Sequence, residues 1–235
     1  MGALLFFTLL VMIRWGLPDK PASVRRLAVL AVLTLLAALA TLQLSAGWVL
    51  LTLCILALHA LPERLLAARH LNLSRLLALL MSALLLILFY YIPGTAIGIA
   101  STEPLAALPD LATKYLAMVL GGLLLANEAN YLIRVVFQRF HLEPMQASSD
   151  QNEPATIDQQ EYNAGRIIGI LERWIIYLVV VTAQYYTIIA LIIAAKGFAR
   201  FRQMDERPFA EYVLIGTLLS TLLTIVIAEV VLRLH

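Results

Sequence analysis

Long apolar stretches recur along the whole chain, and they limit what it can fold into. Residues 27–61 are almost continuously apolar, and another run of about twenty apolar residues ends at Lys196. Stretches of this length can cross a hydrocarbon core of about 30 Å as helices, because a helix satisfies its own backbone hydrogen bonds in lipid. They lack the strict alternation of a β-barrel strand. The pattern therefore predicts an all-α integral membrane protein that forms a polytopic helical bundle.

Composition supports this fold class and excludes others. Hydrophobic residues make up 62% of the 235 residues and charged residues only 14%, which is too apolar for a soluble domain of this length. The net charge of +2 is ordinary for a membrane protein with basic cytosolic loops. No patch of interleaved basic and aromatic residues indicates nucleic acid as a partner. The single cysteine, Cys54, excludes an internal disulfide.

The lengths of the apolar runs predict about seven transmembrane helices, of which one can be re-entrant. A single helix over 27–61 would be about 50 Å long, so we place a tight hairpin at residues 43–47. The N-terminal segment has no basic region before it and no small-residue cleavage site, so we expect it to remain as a short first span. The predicted spans are 2–17, 27–44, 47–62, 75–92, 111–136, 167–195 and 210–233.

Loop charges predict which side of the membrane the first loops face. Segments 18–26 and 64–75 are basic, whereas segment 93–110 contains acidic residues and no cation. Basic loops collect on the cytoplasmic side of a membrane. We therefore predict that the first two segments are cytoplasmic and the third is external.

The same rule conflicts with seven spans further along the chain. Alternation places 137–165 inside and 196–209 outside, although 196–209 carries four cations. Either that segment is external despite its charge, or one span is re-entrant. The candidate for re-entry is 111–136, because Gly121 and Gly122 could break it.

An acidic segment at 141–163 predicts the domain organisation. It contains five carboxylates and two prolines with few large apolar residues, which is typical of a mobile linker. We predict an N-terminal membrane half at 1–140 and a C-terminal two-helix membrane module at 164–235. The linker could dock a soluble partner.

Polar side chains inside the fifth predicted span indicate a functional path. Asn127, Asn130 and Arg134 fall on one stripe, and Glu128 lies about 100° away from it. Two amides and a carboxylate at this depth need partners, because unpaired polar groups are expensive in hydrocarbon. They either hold helices together or line a pathway for ions or headgroups.

The sixth predicted span adds further charges. Arg166, Arg173 and Gln184 share one stripe, and Glu172 lies near the 165–169 face, where two glycines allow another helix to approach closely. Glu172 could then pair with an arginine of a neighbouring helix. The alternative is an amphipathic turn whose charges reach the lipid headgroups.

Two more sets of residues complete the candidates. Thr217 and Thr221 belong to a stripe of small and hydroxylated residues on the last predicted span, which either packs against a helix or lines a pore. The preceding connection carries Lys196, Arg200 and Arg202, and cations at a membrane surface attract anionic lipid or bind phosphate.

Common catalytic and cofactor motifs are absent from the sequence. It contains no G-x-S-x-G, no H-E-x-x-H, no Walker A loop and no dinucleotide fingerprint. His59 and Glu63 have an i,i+4 spacing, but a lone pair of this kind is more often structural than metal-binding. We therefore expect no metal site and no cofactor, and we favour a non-enzymatic role.

Three blocks near the C-terminus carry a resemblance. They are GRIIGILER at 165–173, IAAK at 193–196 and EYVLIGTLLS at 211–220. This region of about 70 residues resembles the C-terminal module of an uncharacterised family of prokaryotic multi-pass membrane proteins. In that family the module follows a membrane half with a His-x-x-x-Asp element, from which this chain departs, since its nearest counterpart is His59 with Glu63. The resemblance implies a prokaryotic cell membrane and no established activity.

Taken together, the sequence favours a pore-forming or transport-type protein of a prokaryotic inner membrane, and a homo-oligomer. Its polar path would contain Asn127, Glu128, Asn130, Arg134, Glu172, Arg173, Gln184, Thr217 and Thr221. The second hypothesis is an enzyme or carrier for a phosphorylated lipid, held by Arg166, Arg173, Lys196, Arg200 and Arg202, with Glu172 or Glu211 as base. The third is a membrane scaffold for a soluble partner.

Overall fold

A computed structural model describes residues 2–17, 21–42, 46–66, 70–91, 110–140, 159–183, 186–199 and 207–233. All regular elements in these ranges are helices. They are α1 (Gly2–Arg14), α2 (Val24–Thr41), α3 (Ala46–Leu65), α4 (Leu71–Tyr91), α5 (Asp110–Leu123), a π-helical segment (Leu124–Glu128), α6 (Ala129–Phe140), α7 (Gln159–Ala183), α8 (Thr187–Ala199) and α9 (Arg207–Arg233).

Four helical stretches in the described residues are long and apolar enough to cross a membrane. They are Val24–Thr41, Leu71–Phe89, Leu111–Phe140 and Ala210–Arg233. Their surfaces carry many exposed leucines; Leu80, for example, is 63% exposed and Leu222 is 58% exposed. A soluble protein rarely exposes apolar patches of this extent, whereas lipid solvates them. The predicted helical membrane protein is therefore confirmed, but the predicted count of seven spans is not.

The chain forms two compact units, Met1–Leu132 and Ile133–His235. In the first unit, α1 to α4 enclose an apolar core that includes Phe6, Leu10 and Ile55. A Cβ added at Gly2 would lie 2.5 Å from the carbonyl oxygen of Thr41, so the start of α1 approaches the end of α2 as closely as glycine allows.

The helix ends of the first unit bring four segments together. Helices α1 and α3 finish, and α2 and α4 begin, at the same end of the unit. Hydrogen bonds join these ends: Glu63 near the end of α3 accepts from the amide of Ala22 just before α2, and Arg14 at the end of α1 donates to the carbonyl of Arg75 in the second turn of α4. Charged residues placed at helix ends therefore meet in one place.

The helix from Asp110 to Phe140 is unbroken, although Gly121 and Gly122 made it the predicted re-entrant segment. Its irregularity is the π-helical segment, in which the residues Leu125 to Glu128 are all buried. A π-helical turn holds more residues per turn than an α-helix and is frequent at functional sites. It turns both Asn127 and Glu128 inward, where the α-helical period predicts that they diverge by about 100°.

The second unit contains the main departure from the predicted spans. Residues 167–195, predicted as one span, form two helices, because α7 ends at Ala183 and α8 begins at Thr187. The two helices fold back on each other, since Lys196 Nζ lies 2.6 Å from Glu172 Oε2. In one straight helix these residues would be about 36 Å apart.

Helix α9 runs in the same direction as α7. Arg173 of α7 donates to Ser220, and Tyr186, just after the end of α7, donates to Glu229. The later residue of the first segment therefore contacts the later residue of α9. Because α8 returns the chain beside α7, Lys196 lies level with Glu172, close to the end of 137–165. The prediction that 196–209 is external assumed that 167–195 forms a single span. The conflict with the positive-inside rule arose from the same assumption.

The predicted linker lies mostly outside the described residues. Segment 141–158 is not described, and the described structure resumes at Gln159, where α7 begins. The last residues of the predicted linker therefore belong to a helix, and the division into two membrane halves joined by an acidic linker stays a prediction.

Candidate functional site: a buried charge network

The first unit contains a buried ion pair between α1 and the π-helical segment Leu124–Glu128. Arg14, the last residue of α1, donates through Nε to Glu128 Oε1 at 2.9 Å and through Nη2 to Glu128 Oε2 at 3.0 Å. Both side chains are almost completely buried, with 3% and 6% of their surfaces exposed. This two-point geometry is the strongest form of an arginine–carboxylate contact.

A second pair of the same kind lies beside it. Arg75 of α4 donates through Nε and Nη2 to the two oxygens of Glu63, at 2.6 and 3.0 Å. Glu63 also accepts from the backbone amide of Ala22 at 2.9 Å. On its other side the Arg75 guanidinium lies 5.4 Å from the ring centre of Tyr131, a cation–π distance. Helices α3, α4 and α6 are thereby tied together.

The two pairs belong to one network. Arg14 Nη2 also donates to the carbonyl oxygen of Arg75 at 2.9 Å, and Asn127 Nδ2 lies 3.4 Å from Glu128 Oε1. The remaining nitrogen of Arg14, Nη1, lies 2.7 Å from His59 Nδ1. The Arg14 guanidinium therefore contacts three other helical stretches at once.

The hydrogen bonds of His59 fix its charge and tautomer. The Ser82 hydroxyl donates its one hydrogen to the carbonyl of Ala78 at 2.7 Å, so at 3.2 Å from His59 Nε2 it acts as the acceptor. His59 Nδ1 faces the Arg14 guanidinium, which has only hydrogens to offer, so Nδ1 must accept. His59 is therefore neutral, with its hydrogen on Nε2.

The network balances its charges. It contains two guanidinium cations, two carboxylates and a neutral imidazole, so its net charge is zero. An unpaired buried ion costs several kcal/mol, whereas a pair with its hydrogen bonds satisfied offsets much of that cost. Any added or removed charge has to be compensated for the network to remain buried.

An apolar cavity of about 70 Å³ adjoins Arg14 and His59. It lies between α1, α2 and α3, and Thr34 is its third polar neighbour. The Thr34 hydroxyl is used within its own helix, where it donates to Leu30. The other lining residues are Leu10, Ile13, Leu17, Leu27, Leu30, Ala31, Leu56 and Ala60. Several of these are only half-buried, so the cavity opens at the surface of the unit.

The second unit has its own polar contacts. Lys196 pairs with Glu172 at 2.6 Å, and each side chain is about one-fifth exposed. Arg173 is 3% exposed and donates to the Ser220 hydroxyl at 3.2 Å. Glu172 thus has a neighbouring-helix partner, as its position predicts, but the partner is a lysine and not an arginine.

The other predicted path residues fall into several environments. Asn127 and Glu128 lie in the network of the first unit, whereas Asn130 turns back to the carbonyl of Ala126 at 2.9 Å. Arg134 belongs to the second compact unit, together with Glu172 and Arg173.

The predicted threonine stripe is buried. Thr217 donates to Val213 of its own helix, which is the bonding expected of a packing residue. Thr221 is 8% exposed on the same helix, α9.

The predicted phosphate or headgroup residues are only partly described. Arg166 is half-buried on α7, and Glu211 is exposed near the start of α9. Gln184, Arg200 and Arg202 lie outside the described residues.

Sequence analysis missed most of the network. Arg14 is the one charge in residues 2–17, and that isolation was the available signal. The charge pattern includes Arg75 only as a cation of a basic loop, and Glu63 only as the i,i+4 partner of His59. His59 and Glu63 were recognised as a spaced pair, but each binds a different arginine. Among the described residues, no group of three His, Cys, Asp or Glu side chains could hold a metal ion.

Comparisons with protein-family models, curated proteins and solved structures found no match for this chain. They leave the resemblance of the C-terminal blocks untested. The buried charge network is therefore the feature that bears most directly on function.

Proposed function

We propose that this chain is a transport-type protein of a prokaryotic inner membrane, with its substrate site at the buried charge network of the first unit. The observation that carries the proposal is the Arg14–Glu128 pair, buried with His59 beside an open cavity. Ionisable groups inside a membrane domain are rare and are typical of substrate and ion pathways.

The network suits a carrier better than an open pore. Each carboxylate is held at both oxygens by an arginine, and the adjoining interior is filled by the apolar core around Phe6 and Leu51. A pore needs polar groups through the whole bilayer depth, but these charges gather where four helix ends meet. A closed site that exchanges its internal partners for a substrate fits this geometry.

A purely structural role explains the network less well. Buried ion pairs are often no more stabilising than apolar side chains of the same size. Two such pairs with a histidine between them are therefore not required to hold the helices together. A site that binds and releases a charged substrate does require charged side chains.

Transport can be tested by reconstituting the protein in liposomes and measuring the uptake of radiolabelled solutes, with protein-free liposomes subtracted, because uptake detects electroneutral as well as electrogenic transport. The solutes would be inorganic phosphate, short carboxylates, alkyl carboxylates and amino acids. We expect uptake of at least one solute class, and a reduction of at least tenfold in Glu128→Gln, because the Gln cannot alternate between charged and neutral forms. No uptake of any class by folded wild-type protein would contradict transport.

The control variant is Glu229→Gln. Glu229 lies at the exposed end of α9, where its carboxylate is 3.9 Å from Arg233. Glu229→Gln makes the same chemical change outside the network, and we expect solute uptake to stay within twofold of the wild type. An equal loss in both variants would show that the effect is not specific to the network.

A further inference from the structure

The cavity beside Arg14 and His59 has the character of a site for an amphiphile. Arg14 and His59 give its wall a polar patch, and leucine, isoleucine and alanine side chains form most of the remainder. An apolar cavity of roughly 150 Å³ stays dry and takes a molecule of the size of benzene. A cavity of about 70 Å³ therefore has room for a few carbons of one chain and not for two chains side by side.

The charge that would meet a headgroup here is positive. Among the described residues that line the cavity, Arg14 is the one that carries a charge, and the carboxylate that neutralises it, Glu128, does not line the cavity. Charge complementarity favours an anionic headgroup.

We propose that the first unit binds a single-chain amphiphilic anion, such as an alkyl carboxylate, together with one proton. The ligand headgroup would replace Glu128 on Arg14, and its first few carbons would occupy the cavity. This inference rests on the proposed transport function and names the class of its substrate.

The proton follows from charge balance. The network is neutral without ligand, so an added anion would leave one uncompensated buried negative charge, at a cost of several kcal/mol. One proton from solution removes that charge: the Glu128 carboxylate becomes a carboxylic acid, and the Arg14 cation pairs with the ligand carboxylate. Arg14 is paired with the Glu128 carboxylate before the exchange and with the ligand carboxylate after it, and no other reactant is needed.

Glu128 is the group best placed to accept this proton. Of the charged and titratable groups around it, Arg14 of α1 contacts Glu128 directly, and His59 of α3 contacts another nitrogen of the same guanidinium. Arg75 of α4 accepts from Arg14 through its backbone carbonyl, and its guanidinium contacts Tyr131, three positions after Glu128. The other carboxylate, Glu63, keeps Arg75 and the amide of Ala22. Replacing Glu128 thus disturbs one pair and leaves the second intact.

Calorimetry of the full chain in phosphatidylcholine nanodiscs tests both parts of the inference. Octanoate would be titrated at neutral pH in two buffers of different ionisation enthalpy, with empty nanodiscs subtracted. We expect uptake of about one proton per octanoate, and we expect the affinity to fall tenfold for each unit by which the pH is raised. Affinity should rise about fourfold per methylene from acetate towards octanoate until the cavity is filled.

Two variants test proton uptake and binding of the ligand's alkyl chain separately. Glu128→Gln resembles the protonated acid, so it should bind octanoate with no proton uptake and no pH dependence. Ala31→Leu extends a side chain of the cavity wall and should abolish the gain from chain length without changing the proton count. Glu229→Gln is the control and should match the wild type.

Several results would overturn the inference. They are octanoate binding without proton uptake, acetate binding as tightly as octanoate, an octyl ammonium salt binding as well as octanoate, and binding only of two-chain phosphatidate supplied in the nanodisc. Uptake of another solute into liposomes without octanoate binding would overturn this inference and leave transport standing. Octanoate binding with proton uptake by the protein, but without uptake of any solute into liposomes, would leave the binding site standing and contradict transport.

Discussion

The buried arginines and glutamates of the first unit depend on one another more than on the surrounding helices. The Arg75 and Glu63 side chains are 2% and 1% exposed, so neither can turn to water if its partner is lost. Removing one partner of a buried pair is strongly destabilising because the other charge is left uncompensated, whereas apolar replacement of both is often neutral. At this scale the network predicts non-additive mutational effects.

Arg75→Met should therefore lower the free energy of unfolding by about 3–5 kcal/mol. Arg75→Met combined with Glu63→Leu should recover most of that loss. The measurement is reversible unfolding in mixed micelles, followed by tryptophan fluorescence. Arg233→Met removes the same charge from a pair whose arginine side chain is 84% exposed and should change stability by less than about 0.5 kcal/mol. An unaltered unfolding midpoint in Arg75→Met would contradict the buried network.

Two elements differ from their sequence-based expectation for local reasons. The apolar run at 167–195 is long enough for a span, but its two ends meet through Glu172 and Lys196. The π-helical segment Leu124–Glu128 turns Asn127 and Glu128 inward together. In both cases an ion pair accompanies a departure from regular helical geometry.

The fold-back of α8 on α7 can be tested by cross-linking. In a Cys54→Ser background, Glu172→Cys with Lys196→Cys should be joined by a bis-maleimide with a spacer of about 10 Å, because the wild-type side chains touch and a single helix would separate them by about 36 Å. The readout is the linked peptide pair in mass spectrometry. Glu172→Cys with Tyr186→Cys is the control that should not link, and linkage of the control alone would refute the fold-back.

At the scale of the whole molecule, each loop between membrane helices faces one of the two sides of the membrane. The basic segments before α2 and between α3 and α4 are predicted to be cytoplasmic, and Lys196 lies level with Glu172 near the end of 137–165. With the chain turning back after α7, the cations of the second unit no longer need to be external. All the basic segments can then obey the positive-inside rule.

This orientation predicts the accessibility of single cysteines in a Cys54→Ser background. Ala22→Cys and Gly197→Cys should resist a membrane-impermeant maleimide in intact cells and react after permeabilisation. Gly197 suits the test because a Cβ there meets no atom within 4 Å. Ser101→Cys, in the acidic segment predicted to be external, should react in intact cells. Labelling of position 197 but not 22 from outside would contradict the shared orientation.

The sequence by itself determined the class of protein and the positions of most of its helices. Apolar run length and composition are local properties, and a helix in lipid is formed by local hydrogen bonds. The predicted spans 27–44 and 75–92 accordingly lie within a few residues of α2 and α4, and the hairpin predicted at 43–47 falls where α2 ends and α3 begins. The burial of Asn127 and Glu128 was also predictable, because both interrupt an apolar run.

Only the tertiary structure decided which charges meet. Arg14 and Glu128 are 114 positions apart in the chain, and no periodicity connects residues on separate helices. Run length could not locate the end of α7 at Ala183 either, because hydrophobicity continues unchanged into α8. Pairing depends on how helices pack in three dimensions, and so the network, its neutral histidine and the cavity beside it became visible only in the folded protein.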